Sequence, residues 1–538
     1  MTPRSILGLL ALLSIASSSA RAGTPAAVPL FQTSDRCFAC HNGLTTAGGQ
    51  DVSIGLDWRP SIMANSARDP YWQASVRRES LDHPESQAKI EDECASCHMP
   101  MARYHAKSRG ELGQVFTHLA GPPGGEEHRE ALDGVSCSLC HQISAESLGT
   151  PQTFSGQFLL AAPLDESHRA EFGPFEIDAG LRRVMRSSSG GFEPTRADHI
   201  RDSALCASCH TLHTNALGPD GKTIGSFPEQ TPYQEWLHSS FANERSCQSC
   251  HMPTLSEPVQ ISRVLGEPRQ GLARHVFVAA NAFMQRMLNR YRDDLAVAAQ
   301  PAELAAAANR TVEYLQSSAA RVSVDEGTLR DGRLQFGVHV ENLGGHRLPT
   351  AYPSRRAWLH VLVTDGQGAK VFESGALQPD GAIQGNDNDA DPTRFEPHYR
   401  EIRSADQVQI YESILGDRAG HVTTGLLAAV GYLKDNRLLP RGFNKTTASP
   451  EIAVHGDALA DPSFTGGGDD VVYSISSERS HGPFSVSVEL VYQPIGYRWA
   501  HNLAPYDAPE PRRFVRYFES MQSETAVVLA HARAIILR

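Results

Sequence analysis

Five copies of Cys-x-x-Cys-His use every one of the ten cysteines in this 538-residue chain. They are Cys37–Cys40–His41, Cys94–Cys97–His98, Cys137–Cys140–His141, Cys206–Cys209–His210 and Cys247–Cys250–His251. A chain of this composition would hold about 0.01 such motifs by chance. The spacing has a chemical reason. Two thiols three positions apart can each add to one vinyl group of a single porphyrin, and the next residue then sets its imidazole on the iron. Two other readings fit less well. Structural zinc pairs two C-x-x-C units; five units leave one over and give the fixed His no role. Short disulfides would suit an oxidising compartment, but they do not call for the His. The pattern therefore implies five covalent haems c, with His41, His98, His141, His210 and His251 as proximal ligands and electron movement as the basic task.

The N-terminus reads as an export signal. Arg4 gives a basic start, Ile6 to Ile15 is mostly apolar, and Ala20-Arg21-Ala22 is a cleavage site of the A-x-A kind. Residues 1–22 are expected to be a cleaved signal peptide, too short to span a membrane. No cysteine follows directly, so no lipid anchor is expected, and no later run of about 18 apolar residues reads as a spanning helix. The expected location is periplasmic or extracellular, where c-type haem is attached. Net charge is −12, or −14 once Arg4 and Arg21 leave with the signal. That disfavours nucleic acid and suits redox-protein donors and acceptors, with a small inorganic substrate as the other expected partner class.

The fold expectation is mixed: an irregular, mainly α multihaem cytochrome c domain, then a β-sandwich-like domain with added helices. All cysteines precede residue 251, so 23–295 is assigned to the haem domain. Its motifs start 57, 43, 69 and 41 residues apart, too uneven for a tandem repeat. Each motif is expected on a short helix. Residues 296–319 read as a helical connector, with Pro301 suited to a first turn. Residues 320–538 read as β-rich: Leu334–Val340, Trp358–Thr364, Lys370–Phe372, Val471–Ile475 and Phe484–Tyr492 follow strand patterns, with Asp365–Gly368 as a turn. Within that region, Thr423–Lys434 reads as a helical insert and Pro511–Leu537 as a C-terminal helical region.

The sixth iron ligand sets potential and reactivity. Outside the motifs, the distal candidates are His83, His118, His199, His275 and His346, each of which could equally be a surface or core-edge His. His238 ranks lower, and His105, His128, His168 and His213 lower still. Met99 and Met252 adjoin proximal histidines and cannot reach the opposite face of the same ring; Met63 and Met101 are weaker candidates.

Asp387, Asp389 and Asp391 alternate like the opening of a calcium loop, but Pro392 and His398 stand where an EF-hand needs Gly and Glu. A solvated acidic turn is the expectation. No nucleophile elbow or zinc-protease helix is present, and no catalytic residue is named. Tyr352, Arg355, Arg356 and Trp358 are expected to brace the sandwich rather than meet haem propionates.

The strings CASCHMPM, DGVSCSLCHQI, LCASCHTL and SCQSCHMP resemble the multihaem cytochromes c grouped with tetrahaem cytochrome c-554. The tail strings GGHRLPTAYPSRRAWLHV, YLKDNRLLPRGF and FTGGGDDVVY look like the β-rich module of larger exported members. The resemblance covers most of the chain. It implies closely stacked haems, mostly bis-His iron, a respiratory role, and His275 and His346 as distal ligands from beyond the motifs. The fifth motif and the long extension depart from the tetrahaem type. The expected function is an exported pentahaem electron carrier in a respiratory chain. The alternatives are a redox enzyme acting on a small nitrogen or sulfur compound at one five-coordinate haem, and a filament-forming cytochrome.

Overall fold

The computed structural model describes residues 28–121, 124–477 and 481–537. The expected signal segment, 1–22, lies outside the described residues. The framing helices are α1 Ser34–His41, α2 Pro70–Asp82, α3 Gln87–His98, α4 Cys137–Cys140, α5 Ala179–Ser189, α6 Ser203–Ala207, α7 Pro232–Leu237, α8 Cys247–His251, α9 Ala282–Arg290, α10 Pro301–Ser318 and α11 Pro509–Glu519. Helices α1, α3, α4, α6 and α8 each carry all or part of one motif, as expected. Helix α2 starts cleanly because the Asp69 carboxylate accepts from the Tyr71 and Trp72 amides and Pro70 fills the first turn. Helix α10 has a capping box between Gln300 and Glu303, with Pro301 at its first position.

Three small pairs interrupt the helical half: β1 Arg169–Gly173 with β2 Phe192–Arg196, parallel, the hairpin β3 Leu212–Leu217 with β4 Thr223–Gln230, and the short antiparallel pair Val259–Gln260 with Pro268–Arg269. The C-terminal half is built on β5 Ala320–Val324, β6 Thr328–Arg330, β7 Arg333–Asn342, β8 Arg356–Thr364, β9 Lys370–Ser374, β10 Glu401–Ile402, β11 Ile410–Asp417, β12 Val422–Thr423, β13 Ala429–Asp435, β14 Gly468–Ser476, β15 Phe484–Gln493 and β16 Val527–Ile536. One sheet runs β12-β11-β8-β15-β16, with β9 on β8 and β13 on β11; the other runs β10-β14-β7-β5, with β6 on β7. Alternate residues of both sheets, such as Leu334, Phe336, Val338 and Val340 against Leu359, Val361, Val486 and Val488, form one buried core. This is sandwich packing.

Two expectations are corrected. Thr423–Lys434 is not a helix: it holds β12 and β13, which pair with β11 through Leu415↔Thr423 and Leu415↔Tyr432. Gly425 and Gly431 weaken a helix there, and the open edge of β11 supplies ladder partners instead. The C-terminal region is helical only through α11; the chain then runs as β16, paired along β15 from Phe484↔Ile536 to Tyr492↔Val527. Its alternation in VVLAHARAII matches the strand period.

The two halves share packing. Helix α11 lies on α2, and Tyr71, Ala74, Phe283, Met284, Leu304, Phe514 and Phe518 belong to one buried cluster. Arg77 pairs with Glu510 at 2.9 and 3.1 Å. The most enclosed link is ionic. Glu235 of α7 meets Arg437 (3.3 Å) and accepts from the Arg347 amide (3.1 Å) and the Thr350 hydroxyl (2.5 Å). Asp435 holds Arg437 at 2.7 and 2.8 Å and also pairs with Arg347. Arg347 is fully buried. Burial opposes ionisation of Asp435, but the Arg347 and Arg437 guanidiniums prevail and hold its carboxyl below the usual range.

Removing one partner leaves the other charges buried and unanswered. Asp435→Asn is therefore expected to cost about 3–5 kcal/mol, measured by denaturant unfolding of the holoprotein. Because the folded pKa is depressed, the wild-type contribution is complete above the unfolded carboxylate value of about 3.9 and is lost as pH falls through the folded one. The gap between wild type and Asp435→Asn should close in acid; a pH-independent gap would contradict this account.

Candidate functional site

All ten motif cysteines and all five motif histidines line one continuous cavity of about 1380 Å³. The walls are largely apolar. Trp58, Trp72, Phe38, Phe172 and Phe175 contribute, and α5 turns Leu181, Val184 and Met185 towards the space although none of its residues is buried. No two of the ten cysteines are joined as a disulfide. Among the described residues, no motif gathers three Cys, His or carboxylate donors within 4.8 Å, so the zinc geometry is not formed.

The motifs are neighbours in space. The thiols of Cys37 and Cys137 lie close enough to act on each other's ionisation, as do those of Cys97 and Cys209 and those of Cys206 and Cys247. Cys140 lies close enough to act electrostatically on Cys206 and Cys209. Motif 1 therefore adjoins motif 3, motif 3 adjoins motif 4, and motif 4 adjoins both motif 2 and motif 5.

Four of the five motif histidines have Nδ1 against a backbone carbonyl: His41 on Ile261, His98 on Ser66 (3.1 Å), His141 on Phe172 and His251 on Val278 (2.6 Å). Such a bond places the proton on Nδ1 and leaves the Nε2 lone pair for a metal. Burial is the leading cause of the low pKa of all five, with His98 and His210 held down at about 4. They are neutral at physiological pH, as a ligand must be.

Two imidazoles from beyond the motifs enter the same cavity opposite proximal ones. His275 faces His141 with ring centroids 6.3 Å apart and planes at 22°; His346 faces His251 at 6.2 Å and 13°. Rings that share one metal through bonds of about 2.0 Å would have centroids roughly 6 Å apart, so both pairs fit an intervening iron. Their Nδ1 atoms are also tied to backbone carbonyls, of Ala273 (3.1 Å) and Arg347 (3.0 Å). Burial leads the forces that hold His275 at about 3. The loop that carries His346 sits tightly on the helical half: a Cβ at Gly345 would lie 3.2 Å from Phe241 and 3.4 Å from Trp236.

The other candidates are placed elsewhere. His83 ends α2, outside the cavity lining. His118 is buried beside Glu127 (3.5 Å), its Nε2 without a partner, and also outside the lining. His199 has Nε2 on the Ile143 carbonyl at 2.8 Å. His213 lines the cavity, but Glu451 holds its Nε2 at 3.0 Å. His105, His128, His168 and His238 bond to Glu130, the His118 carbonyl, Asp165 and the Asn444 carbonyl. Met63 and Met252 line the cavity; Met99 and Met101 are fully buried outside it.

Tyr352 and Arg355 line the cavity, whereas Arg356 binds Asp389 at 2.7 and 3.0 Å and Trp358 donates to the Gly375 carbonyl at 2.8 Å, both inside the sandwich. Asp387 pairs with Arg394, and Asp391 caps Thr393, so the three alternating aspartates do not converge. His398, Asp461 and Asp469 do converge. However, the Gln409 and Asn436 amides both donate to His398 Nδ1, at 3.0 and 3.1 Å. Their carbonyl oxygens are used by the Tyr399 and Glu412 amides, which sets their orientation. The His398 proton is therefore on Nε2, 3.2 Å from Asp461, where a metal would need a lone pair. This cluster is a buried hydrogen-bond network.

The sequence reading missed a polar group at the motif-2 end of the cavity. Trp72 stacks on His98 at 4.4 Å and 5°, which lays α2 along motif 2. The same helix turns Tyr71, Ser75 and Glu79 to the cavity, joined there by Glu229 of β4 and by Tyr352. The i, i+4, i+8 spacing of Tyr71, Ser75 and Glu79 was the available signal.

No family model matches the chain, and no curated protein matches it. Among solved structures, the chain resembles a penta-heme cytochrome c552 from Thermochromatium tepidum, with a TM-score of 0.51 and 15% sequence identity, over 95% of this chain and 100% of that one. At that identity the likeness is one of fold.

The expectation of covalent haem makes the helical half's stability testable, because its apolar walls face the cavity. Produced without haem attachment, the full chain is expected to keep a protease-resistant sandwich while residues 28–290 become readily cleaved. Limited proteolysis with mass mapping checks this, and equal resistance of both halves would contradict it.

Proposed function

We propose that this protein is an exported pentahaem c-type cytochrome that passes electrons between redox proteins of a respiratory chain. One observation carries the reading: fifteen Cys and His side chains from five separate motifs line a single cavity, and every motif has at least one other motif beside it. Each pair of cysteines would hold one haem by two thioethers, and His41, His98, His141, His210 and His251 would each supply the proximal imidazole. A bound haem supplies one ferric/ferrous couple at each position. The chain's part is to keep the imidazoles neutral, fix their tautomer through backbone carbonyls, exclude water, and hold the sites within electron-transfer reach. His275 and His346 are the distal ligands at motifs 3 and 5. Export follows from the expected signal segment, and among the described residues no helix is long and apolar enough to cross a membrane.

A second reading, a redox enzyme for a small nitrogen or sulfur compound, is favoured by the cavity's histidines. Besides the five proximal ones, only His213, His275 and His346 line it, and His213 is engaged by Glu451. Motifs 1, 2 and 4 thus have no free imidazole opposite them among the described lining residues.

Intact-mass measurement of the processed chain should show five haem adducts; a bare polypeptide from cells competent in cytochrome maturation would overturn the proposal. In the holoprotein, His275→Ala and His346→Ala should each turn one six-coordinate haem high-spin, whereas His83→Ala and His199→Ala should leave the spectrum unchanged. Electron paramagnetic resonance checks the spin count. Carbon monoxide binding to reduced wild type separates the two readings: uptake favours the enzyme, and none favours the carrier.

A further inference from the structure

Two buried carboxylates at the motif-2 end of the cavity have no cation bonded to them. Glu229 is 6% exposed and accepts one hydrogen bond, from the Thr214 hydroxyl at 2.6 Å across the β3–β4 hairpin. Glu79 is 5% exposed and accepts from the Leu426 and Leu427 amides at 2.9 and 3.3 Å. Neither forms a salt bridge. The nearby cations are committed: Arg78 to Thr424 and Asp82, Arg103 to Asp92. A lone buried carboxylate is costly as an anion, and such groups settle the cost by taking up a proton.

Glu229 is close to motif 2. Burial pushes the Cys94 thiol up, and of the charges around Cys94, Glu229 acts on it most strongly; it acts on Cys97 as well. The other titratable or charged groups facing this end are Asp69, Tyr71 and Glu79 from the start and body of α2, Tyr352 from the loop before β8, Glu93, Cys94, Cys97 and His98 from α3, and Arg103 beyond it; Asp69, raised by burial to about 6, is bound by the Tyr71 and Trp72 amides. Burial raises Glu229 to about 7; the Thr214 hydroxyl lowers it and the Glu79 charge raises it. Tyr71 and Tyr352 are also raised by burial, so they stay protonated and leave the carboxylates as the groups able to titrate.

We propose that Glu229 is the proton-uptake group that couples electron entry at the motif-2 site to the pH of the surroundings. This rests on the haem reading given above. With a haem held at motif 2 by Cys94, Cys97 and His98, one electron from an external one-electron donor would take its iron from ferric to ferrous. One solvent proton adds to the Glu229 carboxylate and makes the neutral acid. One O–H bond of a solvent hydronium ion breaks and one forms on the carboxylate, and the charge within the cavity is unchanged by the pair of events. The physical reason is direct: reduction removes a positive charge from a low-dielectric site, which makes the neighbouring anion less favourable and the neutral acid more so. Thr214 is the positioning residue, because its hydroxyl stabilises the anionic form.

The test is a spectroelectrochemical titration of the holoprotein across neutral pH, with infrared reduced-minus-oxidised difference spectra. One of the five midpoint potentials should fall as pH rises, by up to about 59 mV per pH unit, the value for a tenfold change in a one-electron equilibrium. Glu229→Gln should abolish that slope and remove a protonated-carboxyl band present in the wild-type difference spectrum. Glu229→Asp should keep both. Thr214→Val, which keeps the carboxylate and its shape, should move the sloping window to higher pH. Haem count by mass on every variant separates the two proposals. If wild type lacks haem, both fail. If five haems are present and the slope and band survive Glu229→Gln, or wild type has neither, the proton-uptake proposal alone is overturned.

Discussion

The helical half of this protein encloses a space, and every other feature of the molecule answers to that constraint. Its five motif helices stand around a shared cavity with apolar and aromatic side chains turned inward, and α3 and α4 also join small buried clusters. Burying apolar surface is the main favourable term in folding, and here much of that surface faces the cavity. A flat apolar ring anchored at each motif would supply the missing contacts. The same geometry explains why the segment reads as irregular: its chain path serves five motifs around one cavity, with no repeating packing between helices.

The sandwich completes that arrangement. His346 reaches the cavity from the loop between β7 and β8, and the buried cluster of Glu235, Arg347, Asp435 and Arg437 grips that loop on both sides. Ordinarily a buried ion cluster is weak support for stability, because desolvation offsets attraction. Its merit here is directional: four charges and their bidentate bonds admit one arrangement of α7, the loop and β13. An apolar contact of equal size would tolerate small slides, and a slide of an ångström would move the His346 ring away from its 6.2 Å relation to His251.

Much of the site was legible from sequence because covalent attachment demands residues at fixed spacing. Cys-x-x-Cys-His needs no tertiary context to be read. The distal side differs in kind, because it is defined by distance in space. His275 lies 134 positions from His141 and His346 lies 95 from His251; the residues placed both only among five equal candidates, and the resemblance singled them out. His199, nearer in sequence to a motif, has its Nε2 on a carbonyl instead. The secondary-structure departures have a similar origin. Residues 423–434 and 527–536 contain good helix formers, yet the free edges of β11 and β15 offered ladder partners, and pairing outweighed local preference. Glu229 was invisible because an acidic residue on a hairpin reads as solvated until the fold buries it.

The pattern of exposure bears on how current would run through five such sites. The two residues between the cysteines are buried in motif 2 (Ala95, Ser96), motif 3 (Ser138, Leu139) and motif 4 (Ala207, Ser208). In motifs 1 and 5 none is buried, and Ala39 and Ser249 are exposed. Motifs 1 and 5 are also the two ends of the chain of neighbours that passes through 3 and 4. Given a haem at each, electrons have two surface ports joined by an interior path. Motif 2 lies off that path as a buried branch from motif 4, and it is the branch whose walls carry Tyr71, Glu79, Glu229 and Tyr352. A pure conductor has no need of a dead end lined with protonatable groups. On the proposed haem reading, the equilibrium of this branch with motif 4 is set by the carboxylates around it.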